Sequence, residues 1–190
     1  MRLQDENKRN QIYDATAQLI NELGFTNVSM SKIAKVAGVS KAGLYTYFKD
    51  KEDMFEKTYI HFKQQMLTSC LDNIDDTDTM YSTVMQFCNN LLTFIKSNEE
   101  RFMFLEQCNS DPKLKAVQSE TIDNLMQKHI EIFQKGIDDQ ILKDVHPLLL
   151  INFCVFSINQ IYKEYNHENS VLGEIRFDNV FLMTWDAIKR

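Results

Sequence analysis

The side chains of this sequence best suited to chemistry crowd into residues 29–51. Ser29, Lys41, Tyr45, Thr46, Tyr47 and Lys51 all donate hydrogen bonds, and positions 32–51 hold five lysines against the single acid Asp50. Such a set suits a polyanion. From the first turn of a helix, Lys41 can reach a phosphate or the paired acceptors of a guanine edge. Thr46 can bond a base or lay its methyl group against that of thymine. The phenols of Tyr45 and Tyr47 are long enough to donate to phosphate oxygens.

The rest of the chain offers no comparable gathering of reactive groups. Cys70, Cys88, Cys108 and Cys154 lie far apart with no Cys-x-x-Cys spacing, and read as reduced, mostly buried thiols of a cytoplasmic protein. Glu164 and His167 make a single Glu-x-x-His pair, whereas a di-iron bundle needs two on facing helices. The sequence contains no Gly-rich phosphate loop, nucleophile elbow or His-Glu-x-x-His motif. No enzymatic activity, metal or cofactor is expected.

The net charge of −6 over 190 residues at first disfavours nucleic acid. The charge is unevenly spread, however. Residues 1–51 carry eight basic and five acidic side chains, a net of +3, and residues 52–190 a net of −9. A basic end on an acidic body suits a protein that touches phosphates with one face only. The most apolar run, 148–158, is interrupted by Asn152 and Ser157 and falls well short of the roughly 20 residues of a membrane span. The mostly polar segment 2–11 does not read as a secretory leader. A cytoplasmic location without membrane association is the expectation.

Five glycines and two prolines lie below the roughly 7% and 5% of average usage. Such scarcity of turn residues favours long helices, hence an all-α fold. Ile12, Ala15, Thr16, Leu19, Ile20 and Leu23 stripe a first helix over about 5–23, with Gly24 as its left-handed cap. Ser29 is placed to cap a short helix to about 36. Ala37-Gly38-Val39-Ser40 reads as a tight turn, with Ser40 capping a third helix over about 41–48. Two short helices joined by a turn containing Gly form a helix-turn-helix, whose second helix can lie in the DNA major groove. Ile33, Val39, Leu44 and Phe48 are its expected core.

Residues 25–55, FTNVSMSKIAKVAGVSKAGLYTYFKDKEDMF, resemble the DNA-binding region of the tetracycline-repressor-like (TetR) family of bacterial regulators. The matching positions are Ile33-Ala34, Ala37-Gly38-Val39-Ser40, Gly43, Tyr45, Tyr47-Phe48, Lys51-Glu52 and Phe55. The resemblance implies a three-helix DNA-binding domain over 1–50 and a larger helical ligand-binding and dimerisation domain over 51–190. It implies that Lys41, Ala42, Tyr45, Thr46 and Tyr47 line the recognition surface, and that Lys51 meets phosphate through its backbone or ammonium group. Ser29 can add a contact through helix-terminal N–H groups, which attract anions. Gly43 permits close approach of a phosphate or a neighbouring helix. Thr46 departs from the aromatic or His common in the family, which leaves the favoured base pairs open.

Further helices are expected over about 51–73, 80–96, 99–107 with Asn98 as cap, 112–140 behind Asp111-Pro112, 147–165 behind His146-Pro147, and from 173 or 174 to 188. The 147–165 helix is apolar nearly all round and must be covered on every side. The last helix presents Ile175, Val180, Phe181, Thr184, Trp185 and Ile188. In the family, the last two helices of each subunit build a four-helix dimer interface, so the resemblance implies a homodimer on a palindromic operator in double-stranded DNA. Family members bind apolar or aromatic effectors between inner helices. The candidates here are Phe62, Met66, Met85, Phe102, Met103, Glu106, Met126, His129, Phe133, Phe153 and Phe156, residue types that also make ordinary core. The implied function is that of a repressor released by a small molecule. An activator, or a DNA-binding protein of the same fold that needs no ligand, remains open.

Overall fold

The computed structural model describes residues 2–75, 77–115, 117, 119–165 and 176–190. Its helices are α1 Arg2–Asn27, α2 Met30–Val36, α3 Lys41–Leu44, α4 Lys51–Cys70, α5 Met80–Ser97, α6 Glu99–Ser110, α7 Pro112–Lys115, α8 Glu120–Asp138, α9 Pro147–Tyr165 and α10 Phe177–Ile188. Among the described residues there is no strand, only a bridge between Leu142 and Lys189, so the all-α expectation holds. The chain forms two compact units. The first comprises Met1–Gln65 and Asn98–Ser119, the second Met66–Ser97 and Glu120–Arg190.

In the first unit, the α1 stripe is buried at Ile12, Ala15, Thr16, Leu19 and Ile20, while Leu23 is exposed. Gly24 kinks α1 at φ 73, ψ 160, a conformation open essentially to glycine alone. Its positive φ falls at the expected left-handed cap, although its ψ lies outside the left-handed helical region. The helix is interrupted there before a further short stretch to Asn27. The ring of Phe25 then packs edge-on against Phe55, 5.6 Å away. Phe48, Phe62, Phe102 and Phe104 fill the centre of the unit, and Tyr13 meets Phe48 and Phe62 edge-on. Each such ring contributes on the order of 1.5–3 kcal/mol by leaving water.

Polar pairs fasten α6 along α1. The Arg101 guanidinium grips both Asp14 oxygens at 3.0 and 3.3 Å. The Asn21 amide donates to Glu100, and its oxygen accepts from Gln107. Asn98 does not cap α6 with its side chain as expected; its Oδ1 accepts from Arg101 instead. Asp111 does cap α7, accepting from the N–H groups of Lys113 and Leu114. The single helix expected over 112–140 is divided: the Val117 N–H turns back three residues to Leu114, and α8 begins afresh at Glu120.

The second unit centres on Phe87, whose ring stands edge-on to His129 and Phe133, each 5.5 Å away. Val84, Cys88, Leu91 and Ile95 of α5, Leu150, Ile151, Cys154 and Ile158 of α9, and Val180, Phe181 and Ile188 of α10 complete its core. The last turns of α4 end earlier than expected, at Cys70, because Leu71 and Asp72 bond three residues back and Asn90 takes the carbonyls of Cys70 and Asp72. Lys143 and Arg190 tie the chain terminus to the segment after α8, through the carbonyls of Ile188 and Ile141.

The expectation that α9 is covered all round is not met within one chain. Leu149, Phe153 and Phe156 are 58%, 47% and 74% exposed, and on α10 Leu182 and Met183 are 48% and 74% exposed. The expected start of the last helix at 173 or 174, together with Ile175, lies outside the described residues. The four cysteines are buried and none is joined in a disulfide. Among the described residues no helix is long and apolar enough to cross a membrane.

Candidate nucleic-acid interface

Three local devices set out the residues of α2 and α3. Ser29 Oγ accepts from the Lys32 N–H at 3.3 Å and starts α2. Gly38, at φ 65, makes the turn. Ser40 Oγ then accepts from the Gly43 N–H at 2.9 Å and starts α3. The third helix is shorter than the 41–48 expected. Beyond Leu44, the N–H groups of Thr46 and Tyr47 bond only three residues back, to Gly43 and Leu44, so the helix tightens into a turn. The outcome is nonetheless two-faced. Leu44 and Phe48 point inward with 0% and 2% exposure, and Lys41, Ala42, Tyr45 and Thr46 stand in solvent.

The remaining candidates are placed less simply. Gly43 is half-buried, and a Cβ there would lie 3.1 Å from Ser40 Oγ. The space it leaves thus serves the cap of its own helix. Lys51 holds its ammonium 5.6 Å over the Phe55 ring on the same helix. Its helix start is secured by a reciprocal pair, in the manner of a capping box: Asp50 accepts from the Asp53 N–H and Asp53 from the Lys49 N–H, both at 2.8 Å.

Tyr47 is half-buried and heavily engaged. Its hydroxyl donates to the Asp5 carboxylate. The Arg9 guanidinium sits 5.6 Å over its ring, and its carbonyl accepts from Lys57 Nζ at 3.2 Å. The bond to Asp5 holds the Tyr47 pKa above the ordinary tyrosine value, so the phenol keeps its proton at neutral pH. Asp5, Arg9 and Lys57 escaped the sequence reading because Asp5 and Tyr47 are 42 positions apart. Beside them a polar groove between α1 and α4 is lined by Glu6, Arg9, Asn10, Tyr13, Lys57 and His61. There the imidazole of His61 stacks on Tyr13 at 4.4 Å. Burial, followed by the nearby Arg101 charge, pushes the His61 pKa below its ordinary value.

The effector candidates are divided between the two units. Phe62 and Phe102 are core of the first unit, which also carries exposed Met103 and half-buried Glu106. In the second unit Met66, His129 and Phe133 are buried, Met85 and Met126 half-buried, and Phe153 and Phe156 exposed. The second unit does hold a cavity of about 140 Å³ lined by Leu92, Lys96, Ile158, Ile161, Tyr162, Tyr165, Phe177 and Val180, none of them on the candidate list. Ile158, Ile161, Tyr162 and Tyr165 follow the spacing of one helical stripe, a signal the sequence did carry. Among the described residues no cluster of His, Cys, Asp or Glu could hold a metal; His167 lies outside them.

Comparison with known proteins settles the family. A model of bacterial regulatory proteins of the tetR family matches residues 12–58, and one of the tetracyclin repressor-like C-terminal domain matches residues 55–190. The chain belongs to the TetR family. An uncharacterized HTH-type transcriptional regulator of Haemophilus influenzae is 31% identical over 108 residues, a match spanning 56% of this chain and 57% of that relative. An HTH-type transcriptional regulator of Staphylococcus aureus strain USA300 is 29% identical over 150 residues, 79% of this chain and 80% of the relative. The crystal structure of a TetR family transcription regulator from Marinobacter aquaeolei VT8 has the same fold, with a TM-score of 0.83 at 26% identity over 100% of this chain and 99% of that one. The protein is thus a TetR-family transcriptional regulator, and its helix-turn-helix is that family's DNA-binding element.

Proposed function

We propose that this TetR-family regulator is a cytoplasmic dimeric repressor that occupies a palindromic operator and leaves it when a small apolar or aromatic effector binds. Residues 1–50 serve as the DNA-binding domain and residues 51–190 as the ligand-binding and dimerisation domain. The observation that carries this reading is the exposed rank of Lys41 and Ala42 on α3 and of Tyr45 and Thr46 on the turn that continues it, with Leu44 between them anchored in the core. Lys41 supplies a cation for phosphate or guanine, Thr46 a base-edge contact, and Tyr45 a phenolic donor. Ser29, the backbone about Gly43, Tyr47 and the start of α4 at Lys51 contribute flanking phosphate contacts.

The exposed apolar residues of α9 and α10 support the dimer. Leu149, Phe153 and Phe156 recur at helical spacing, and an apolar patch of this kind on one chain marks an association surface. Phe153 and Phe156 therefore belong to the subunit interface rather than to an effector pocket. Two-fold pairing sets the recognition helices about 34–36 Å apart or more, and the operator shares the symmetry. The effector is seated in the second unit. The cavity between α5, α9 and α10 is close in size to engineered apolar cavities that take benzene, and Met66, Met85, Met126, His129 and Phe133 are further candidate contacts.

Release is a population shift. The two units are joined at residues 65/66, 97/98 and 119/120, the first junction lying inside the unbroken α4. A helix of that length spans about 30 Å, so a tilt of a few degrees at one end moves the other by ångströms. The effector acts only through its differential affinity for the two states. Selection of bound duplexes from a random library, followed by a compound screen for release, tests the proposal. A palindromic consensus and a releasing compound are expected. Enrichment of no sequence would refute operator recognition, and an effector that binds the DNA complex as tightly as the free protein would refute the release mechanism.

A further inference from the structure

A phenol has one proton to give, and Tyr47 has already given it. Its hydroxyl donates to the carboxylate of Asp5 near the start of α1, which leaves only oxygen lone pairs for anything else that approaches. A DNA phosphate is itself purely an acceptor and cannot bond to that oxygen while the Asp5 bond stands. Asp5 and a phosphate oxygen are chemically alike in this respect, each an anionic oxygen looking for a donor. The surroundings sharpen the likeness. The Arg9 guanidinium over the Tyr47 ring supplies a cation of the kind that phosphate would use, whereas the Lys57 ammonium, bonded to the Tyr47 carbonyl, is paired with Asp53 at 2.9 Å.

We propose that Asp5 is a built-in competitor of the DNA backbone, occupying the Tyr47 hydroxyl in the free protein and yielding it to a phosphate when the operator binds. The idea rests on the reading that Tyr47 faces DNA. On displacement the Tyr47 proton passes from the Asp5 bond to a phosphate bond, and the Asp5 carboxylate turns to solvent or to Arg9, one helical turn along α1. The exchange keeps the number of hydrogen bonds constant, so it weakens operator binding modestly and lowers non-specific retention on DNA by the same factor. Asp5 is thereby a determinant of how readily the protein leaves DNA, at a position outside the helix-turn-helix.

The experiment measures operator affinity by fluorescence anisotropy for the full chain and for Asp5→Asn, Tyr47→Phe, the double variant and Glu6→Gln, with circular dichroism verifying that each is folded. Asp5→Asn is expected to bind about three- to tenfold more tightly, Tyr47→Phe to bind more weakly, and the gain from Asp5→Asn to vanish in the Tyr47→Phe background. Glu6→Gln removes the same charge one residue on and is expected to give a clearly smaller gain. An equal gain from Glu6→Gln, or a gain that survives in the double variant, would reduce Asp5 to bulk repulsion and overturn the proposal. Weaker binding by Asp5→Asn would make Asp5 a positioning residue for Tyr47, and would overturn it too. Unchanged binding by Tyr47→Phe would instead overturn the placing of Tyr47 at the DNA.

Discussion

The two units turn opposite kinds of surface to solvent. The first exposes Lys41, Tyr45 and Thr46 over a closed core, whereas the second exposes Leu149, Phe153, Phe156, Leu182 and Met183. A polar face of this sort is complete in one chain and waits for a ligand that differs from it in charge. An apolar face is incomplete in one chain and persists in water only if something covers it. The lesson is that residue type alone does not separate core from association surface in the second unit. Phe133 and Phe156 are both phenylalanines on helices of that unit, one 0% and the other 74% exposed, and substitution should tell them apart.

The largest effect is expected at Phe133. Phe133→Ala should cost about 3–5 kcal/mol in denaturant unfolding, the sum of lost transfer energy and a cavity. Loss of less than 1 kcal/mol would mean that the Phe87, His129 and Phe133 cluster is not the centre of the unit. Phe156→Asp tests the opposite side of the comparison. It should leave the helix content intact and convert the protein from two chains to one in sedimentation equilibrium, with a matching loss of concentration dependence in the melting temperature. A variant that sediments like the parent would place the interface elsewhere.

How much of this was legible in the sequence depends on the range over which each feature is encoded. Ser29, Ser40 and Asp111 act on N–H groups within three residues, and local pattern places these caps. At Asn98 the same pattern fails because its side chain meets Arg101 instead. The inward face of α4, with Phe55, Tyr59, Phe62, Met66 and Cys70 buried, follows from helical periodicity in the same way. Periodicity cannot say what lies opposite a helix face, so α9 reads as apolar all round while the exposure of Phe153 and Phe156 is invisible. The early end of α3 reflects a change of hydrogen-bond pattern after Leu44, and propensity alone does not reveal it. The division between α7 and α8 was equally hidden, since no Gly or Pro stands at 116–119. The Asp5–Tyr47 bond joins elements that only tertiary structure brings together.

A smaller effect should follow at the cap of the recognition helix. Ser40→Ala removes the acceptor for the Gly43 N–H and should lower stability by about 1 kcal/mol. Because the turn it starts carries Lys41 and Tyr45, operator affinity should fall as well. A variant as unstable as predicted but binding normally would show that α3 is ordered by the DNA itself.

The smallest effect concerns pH. His61 has its pKa held below the ordinary 6.5, chiefly by burial. Below that value the unfolded chain takes up a proton that the folded protein resists. The stability is therefore fully present above pH 6.5 and declines as the pH falls through the depressed folded value. His61→Gln should flatten the fall in melting temperature between about pH 7 and pH 5. An equally steep profile in the variant would assign the acid sensitivity to other groups.

The central claim, that the exposed rank on α3 reads DNA, is met most directly by titrating the DNA upstream of the protein's own gene, or a selected duplex, against a scrambled duplex across a salt series. The account predicts tight, sequence-selective binding whose logarithm falls linearly with the logarithm of salt, at a slope near −0.9 per phosphate contacted. It further predicts that Lys41→Ala flattens that slope by about one unit if the lysine meets phosphate, or relaxes base preference at one position if it meets guanine. Weak binding that is indifferent to sequence in every duplex, selected ones included, and unchanged by Lys41→Ala would contradict it.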